Sequence, residues 1–228
     1  MLQCRWQRGV SERGVMIALV IGMLLAGACG AFALLMVMNG TGEEIVDEVV
    51  LRAPLEPVPV GSFRGVDQLG REVDEGVFRG RWTVLTFGFT HCPTACPIMH
   101  GEIARMVGML RDVPAQVVTM TVDPANDTPE QMRAYVDRFE VSHDRWRFVT
   151  TGDIESVHRI VQGLGYFLSD IPGSVVELPD GGTMMNIEHP TRFFLVDPEG
   201  RVVLMPSGTN REEVDALART IRSRLRGS

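Results

Sequence analysis

Hydrophobic and polar positions divide the 228-residue chain into three regimes. Residues 16–38, MIALVIGMLLAGACGAFALLMVM, carry no charge and are long enough to cross the roughly 30 Å hydrocarbon core as a helix. Residues 39–61 lose that character: acidic side chains and then Pro54, Pro57 and Pro59 appear with little period, which predicts a semi-extended linker. From residue 62 onward, short apolar runs alternate with helical periods. Residues 62–74 suggest a hairpin with Gly70 in its turn. Residues 83–89 form a near-continuous apolar run, the mark of a strand buried on both faces.

Ile98, Ile103, Met106, Val107 and Leu110 then recur at helical spacing until Asp112-Val113-Pro114 ends the pattern. A second buried strand is expected at 116–122. Asp127-Thr128-Pro129-Glu130 next supplies a cap and a first-turn proline for a helix through Phe139. A strand at 146–150 and a helix at 154–164 follow. Residues 165–190 read as a long irregular stretch. A strand at 192–196, a turn at 197–200, a return strand at 201–205 and a helix from 210 to about 225 complete the chain. This order predicts an α/β sandwich with a mixed central sheet, a thioredoxin-like fold over 62–228 behind an N-terminal transmembrane helix.

Charge orients the anchor. Arg5, Arg8 and Arg13 precede the apolar run against a single Glu12, and Glu43, Glu44, Asp47 and Glu48 follow it. The positive-inside bias therefore places residues 1–15 in the cytoplasm and the folded domain in the periplasm, or an equivalent outer compartment, as a single-pass protein of the inner membrane. A cleaved signal peptide has an apolar region of only about 7–15 residues. A lipoprotein site at 25–29 is disfavoured because hydrophobic residues continue past Cys29. The formal charge of -7 removes any electrostatic reason to expect nucleic-acid binding.

Of the 4 cysteines, Cys4 and Cys29 lie in or before the apolar segment, which leaves Cys92 and Cys96 to the domain as one functional pair. They fall where a strand stops and a helix starts. Pro97 fits a first helical turn, so Cys96 is expected at or beside the N-cap, where the positive end of the helix dipole favours a thiolate. Cys92, one loop turn earlier, can bring its sulfur to the same point, and the spacing permits a disulfide. Soft-metal binding and thiol redox chemistry both remain open, with buried structural cysteines as the plain alternative. A thioredoxin-type pair has two residues between its cysteines; Pro93-Thr94-Ala95 supplies three and leaves more room for an ion.

Gly88-Phe89-Thr90-His91-Cys92-Pro93-x-x-Cys96-Pro97, then Thr121-Val122-Asp123-Pro124-x-x-Asp127-Thr128-Pro129-Glu130, then His189 ahead of Phe193-Phe194-Leu195-Val196-Asp197-Pro198-Glu199-Gly200, resembles the SCO/SenC family of membrane-anchored copper proteins. The resemblance implies a thioredoxin-like domain that binds one copper, Cu(I) or Cu(II), through Cys92, Cys96 and His189. It further implies a part in assembling the binuclear copper centre of cytochrome c oxidase. The partners would be the copper-receiving subunit II and another periplasmic copper carrier, with thiol-disulfide exchange alongside metal delivery. Two departures stand out: Thr94 replaces the usual acidic residue between the cysteines, and Glu188 replaces the usual Asp before the histidine.

The ligand set also has its own logic. Two thiolates satisfy soft Cu(I), and an imidazole lets the site accept Cu(II); zinc would fit the same ligands plus water. The irregular stretch before His189 suggests a mobile loop that brings it to the sulfurs. His100, one helical turn beyond Cys96, is an alternative third ligand. His91 is expected to point away from the sulfurs, and His143 and His158 to lie on the surface. Met184 and Met185 could offer thioether sulfur or fill a core. Asp123 and Asp127 read as a turn and helix cap. Three functions follow: a copper-binding assembly factor, a thiol-disulfide reductase needing only the two cysteines, and a peroxidase-like enzyme, for which no recognisable motif is present.

Overall fold

Two strands with every position buried, β4 (Thr83–Gly88) and β5 (Gln116–Thr121), run parallel and in register from Thr83 opposite Gln116 to Gly88 opposite Thr121. They form the centre of a computed structural model in which residues 51–226 are described, together with Met16 and Met23. The chain divides into two units, Met1–Glu48 and Val49–Ser228, and the fold described is that of the second. The expected span at 16–38, apart from those two methionines, and the linker to residue 50 lie outside the described residues. Among the described residues no helix is long and apolar enough to cross a membrane.

The remaining strands are β1 (Val58–Pro59), β2 (Arg64–Asp67), β3 (Glu72–Asp74), β6 (Trp146–Thr150), β7 (Ser169–Glu177), β8 (Thr183–Glu188), β9 (Phe194–Val196) and β10 (Arg201–Leu204). The main sheet has the order β1-β10-β9-β4-β5-β6-β2-β3. Its parallel centre is flanked by antiparallel partners, with β9 on β4 and β2 on β6. The helices are α1 (Ala95–Met109), α2 (Pro129–Asp137), α3 (Ile154–Gly163) and α4 (Arg211–Arg226).

Alternation along the buried strands sorts their side chains into two cores. Val84, Val117, Trp146, Phe148 and Leu195 pack with Met99, Ile103 and Met106 of α1, Met132 and Val136 of α2, and Val214, Leu217 and Ile221 of α4. Leu85, Phe87, Val118, Met120, Val149 and Phe194 meet Val157, Ile160 and Val161 of α3 on the opposite face. Each fully buried side chain of this size contributes about 1.5–3 kcal/mol by leaving water. Trp146 satisfies its indole N–H on Thr119 Oγ1 at 2.8 Å, so the polar edge does not offset that gain.

Expected elements appear close to their expected bounds. The β2–β3 hairpin turns at Gly70, whose φ of 73° suits glycine, and buried Asp67 closes it by accepting the backbone N–H groups of Leu69 and Arg71. The expected linker contributes structure before residue 61: Val58 and Pro59 pair with β10, Val60 is buried, and Arg52 carbonyl accepts from Met205 N–H at 2.6 Å.

The irregular stretch expected at 165–190 is instead a two-stranded ribbon, β7 with β8, separate from the main sheet. Its register runs from Ser169 opposite Glu188 to Glu177 opposite Thr183, with a shift between Asp170 and Val175 that accommodates Pro172 and Gly173. Most of its positions are exposed or half-buried, so no alternation marks it in the sequence.

Candidate metal centre

The site is built on the turn that leaves β4. Phe89 is fully buried, and Cys92 N–H donates back to its carbonyl at 3.3 Å. Between them Thr90 is held down by Asp127, which accepts from Thr90 N–H at 3.2 Å and from the hydroxyls of Thr90 and Thr121. Burial raises the Asp127 carboxyl to about 6, against the lowering effect of these donors. Thr94 is the N-cap of α1 and makes no side-chain cap bond, so Cys96 is the second helical residue and Pro97 the third. The two sulfurs are thereby fixed by a buried strand end on one side and a helix start on the other.

His189 reaches them from the far end of β8, 97 positions after Cys92. Its ring is buried, stands edge-on to Phe89 at 5.9 Å, and places Nδ1 3.3 Å from the Pro190 carbonyl. That contact suits a proton on Nδ1 and leaves the Nε2 lone pair free, the form in which imidazole binds metal. Nε2 lies 3.4 Å from Cys96 Sγ and 3.9 Å from Cys92 Sγ. All three donor atoms fall within 4.8 Å of one another. The loop motion expected to deliver the histidine is not needed, because the ribbon already seats it.

Both cysteines are free thiols. Cys92 is held well below its usual range, first because the Cys96 thiol donates to it, then by the backbone N–H groups of Cys96 and Thr94. Burial, reinforced by the neighbouring Cys92 charge, pushes Cys96 the other way. The pair thus gives up one proton readily and keeps the second between two sulfurs and a nitrogen. A soft cation suits that position, since it replaces the proton and is held by both thiolates. Gly88 makes the space: a Cβ there would stand 2.8 Å from Cys96 Sγ.

The other side chains singled out in the sequence fall elsewhere. His100 is buried between α1 and the aromatic core and does not join the three donors. His91 turns from the sulfurs towards Asp123 and Asp127. Its Nδ1 is 3.1 Å from Thr90 Oγ1, and the carboxylates there are already occupied by Thr90, Thr121 and Asn126. His143 is partly buried between Gln68 and Asp137, and His158 is partly buried on α3. Met184 Sδ accepts from Asn126 at 3.6 Å while packing on the core, and Met185 is exposed. The role of Asp127 in bracing Thr90 is not legible from its place in a helix-cap motif, although the motif does put Thr128 on the cap.

A family model described as SCO1/SenC matches residues 54–226. The chain is 33% identical, over 78% of its length and 81% of the relative's, to a candidate copper-binding protein of Stutzerimonas stutzeri. Yeast Sco1 with copper bound is similar in structure at a TM-score of 0.60 and 26% identity, over 73% of this chain and 90% of that one. BsSco, described as a member of the Sco family of cytochrome c oxidase assembly proteins, shares the fold at a TM-score of 0.62 and 24% identity, over 76% of this chain and 96% of that one.

Proposed function

The chain belongs to the SCO1/SenC family, and from that premise we propose that it is a copper metallochaperone for the binuclear copper centre of cytochrome c oxidase. Copper is its cargo, held by Cys92, Cys96 and His189 and passed to subunit II of the oxidase, with another periplasmic copper carrier as the source. The observation that carries this reading is the approach of His189 Nε2 to both sulfurs from the other end of the domain. A redox dithiol has no need of a buried imidazole aimed between its sulfurs. Two thiolates with one nitrogen suit Cu(I) and still offer Cu(II) a nitrogen ligand. The apolar run at 16–38 and its flanking arginines support an inner-membrane anchor with the domain in the periplasm.

A second reading, a thiol-disulfide oxidoreductase that keeps the copper-ligand cysteines of the partner reduced, is favoured by the lowered Cys92 thiol. The Cys92 thiolate would attack a partner disulfide and expel one partner thiolate. Cys96, deprotonated, would then attack Cys92 Sγ and release the second, so two electrons pass to the partner and the Cys92–Cys96 disulfide remains.

Anaerobic copper titration of the reduced protein beside Cys92→Ser, Cys96→Ser and His189→Ala separates the two readings. A carrier binds one copper per chain and is weakened by all three changes. Tight binding that ignores His189→Ala, together with full oxidase assembly by that variant in cells, would make the reductase the better description.

A further inference from the structure

His100 stands one turn beyond Cys96 on α1 and has no exposed surface. Its ring is enclosed by Tyr135, Phe139, Trp146 and Phe148, at centroid separations of 5.3, 6.1, 5.2 and 5.8 Å. A leucine would fill that pocket, so packing does not ask for an imidazole. The two ring nitrogens are treated unequally. Nδ1 lies 2.8 Å from the Tyr135 hydroxyl, whereas Nε2 is buried without a hydrogen-bond partner. An orphaned buried polar atom is costly to keep, which makes what it faces informative. Sulfur borders the same gap: a Cβ built on Gly88 would meet Cys96 Sγ at 2.8 Å and His100 Nε2 at 3.4 Å. The missing side chain of Gly88 thus leaves the ring nitrogen and the sulfur on the walls of one small gap.

Burial keeps His100 neutral, lowering it to about 3, and raises the Tyr135 hydroxyl well above its usual range. An imidazole nitrogen is a better acceptor than a phenol oxygen, so the Tyr135 O–H donates to Nδ1 and the single ring proton sits on Nε2.

We propose that His100 is a positioning residue for the metal centre, whose Nε2–H donates to Cys96 Sγ when that sulfur is a metal-bound thiolate and so biases the site towards Cu(I). This rests on the copper reading above. A free thiol is a weak acceptor, which fits the unpaired nitrogen of the metal-free site; a thiolate is a stronger one and draws the ring N–H in. Donation takes electron density from the sulfur. Cu(II) depends on that density more than Cu(I) does, so hydrogen bonding to the sulfur shifts the balance between the two states.

The test is the Cu(II)/Cu(I) midpoint potential of the copper-loaded full chain for the unsubstituted protein, His100→Leu, His100→Gln and Tyr135→Phe, beside 15N NMR of the imidazole in the metal-free protein. His100→Leu is expected to favour Cu(II) by about tenfold in relative affinity, a fall of about 59 mV for a one-electron couple. His100→Gln, which keeps an N–H donor, recovers much of that shift. Tyr135→Phe gives a smaller shift of the same sign, because Nδ1 loses its fixed donor. The NMR spectrum shows the proton on Nε2.

A His100→Leu ratio within about twofold of the unsubstituted protein, equal shifts for Leu and Gln, or a proton on Nδ1 overturns the role and leaves the three-ligand site standing. Should His100→Leu fail to fold, Tyr135→Phe and the tautomer decide the matter. Failure of the unsubstituted chain to take up copper removes the functional reading itself, and this role with it.

Discussion

Cys96 Sγ and His189 Nε2 stand 3.4 Å apart although 93 positions separate them in the chain. Neither end of that contact is free to drift. Cys96 is locked at the start of α1, which packs on the central sheet, and His189 follows directly from β8 before the chain enters β9. A site assembled from two rigid elements loses little conformational entropy when it binds an ion.

The charge distribution in the dithiol predicts its reactivity. With Cys92 well below and Cys96 well above the usual thiol range, the metal-free reduced protein carries one thiolate, on Cys92, throughout pH 6–8. Iodoacetamide followed by peptide mass spectrometry should label Cys92 first, at a rate nearly independent of pH in that interval. An ordinary thiol would instead slow about tenfold per unit of falling pH. Rates that fall in that manner, or preferential labelling of Cys96, contradict the assignment.

Gly88 predicts a steric outcome. Alanine there would press its Cβ against Cys96 Sγ at 2.8 Å, and the Gly88 backbone is held at the end of β4 by Thr121 of β5. Gly88→Ala is expected to destabilise the domain by about 1–3 kcal/mol, as overpacking does, and to weaken copper binding at least tenfold by displacing the sulfur. Unfolding in urea and copper competition measure the two effects. Unchanged copper affinity would show that the sulfur has room the structure does not give it.

Asp127 predicts a pH dependence. Its carboxyl is raised in the folded state to about 6 from a reference of 3.8, so the folded protein binds this proton more tightly than the unfolded chain does. Stability from this group is therefore present below about pH 4 and lost as pH rises through 6, by up to about 3 kcal/mol. Asp127→Asn should remove that component from unfolding curves recorded between pH 4 and 7. A pH profile unaltered by the substitution would mean that the Thr90 and Thr121 hydroxyls compensate the buried charge fully.

Much of this arrangement is written in local sequence. Runs such as 83–89 and 116–122 announce buried strands because nearly every position is apolar or a threonine, and the Thr128-Pro129 cap sets the start of α2 to the residue. The cysteine pair and its proximity to a helix start are equally local. The β7–β8 ribbon is not: its side chains are largely exposed, Pro172 and Gly173 interrupt its register, and cross-strand pairing with a few core contacts from Val176, Met184 and Ile187 holds it. Pairing of that kind depends on residues far apart, which periodicity does not report. The same limit hides the brace of Asp127 on Thr90 and the tyrosine that fixes His100, contacts across 37 and 35 positions. His189 is legible in the sequence through a family resemblance, and the fold supplies the geometric reason for it.

X-ray absorption at the copper edge of the Cu(I)-loaded protein, with His189→Ala alongside, reads the ligand set itself. A carrier built on Cys92, Cys96 and His189 shows two sulfurs and one nitrogen around the copper, with the nitrogen lost in the variant and both sulfurs kept. A shell of sulfur alone in the unsubstituted protein, or an identical spectrum for the variant, would contradict it.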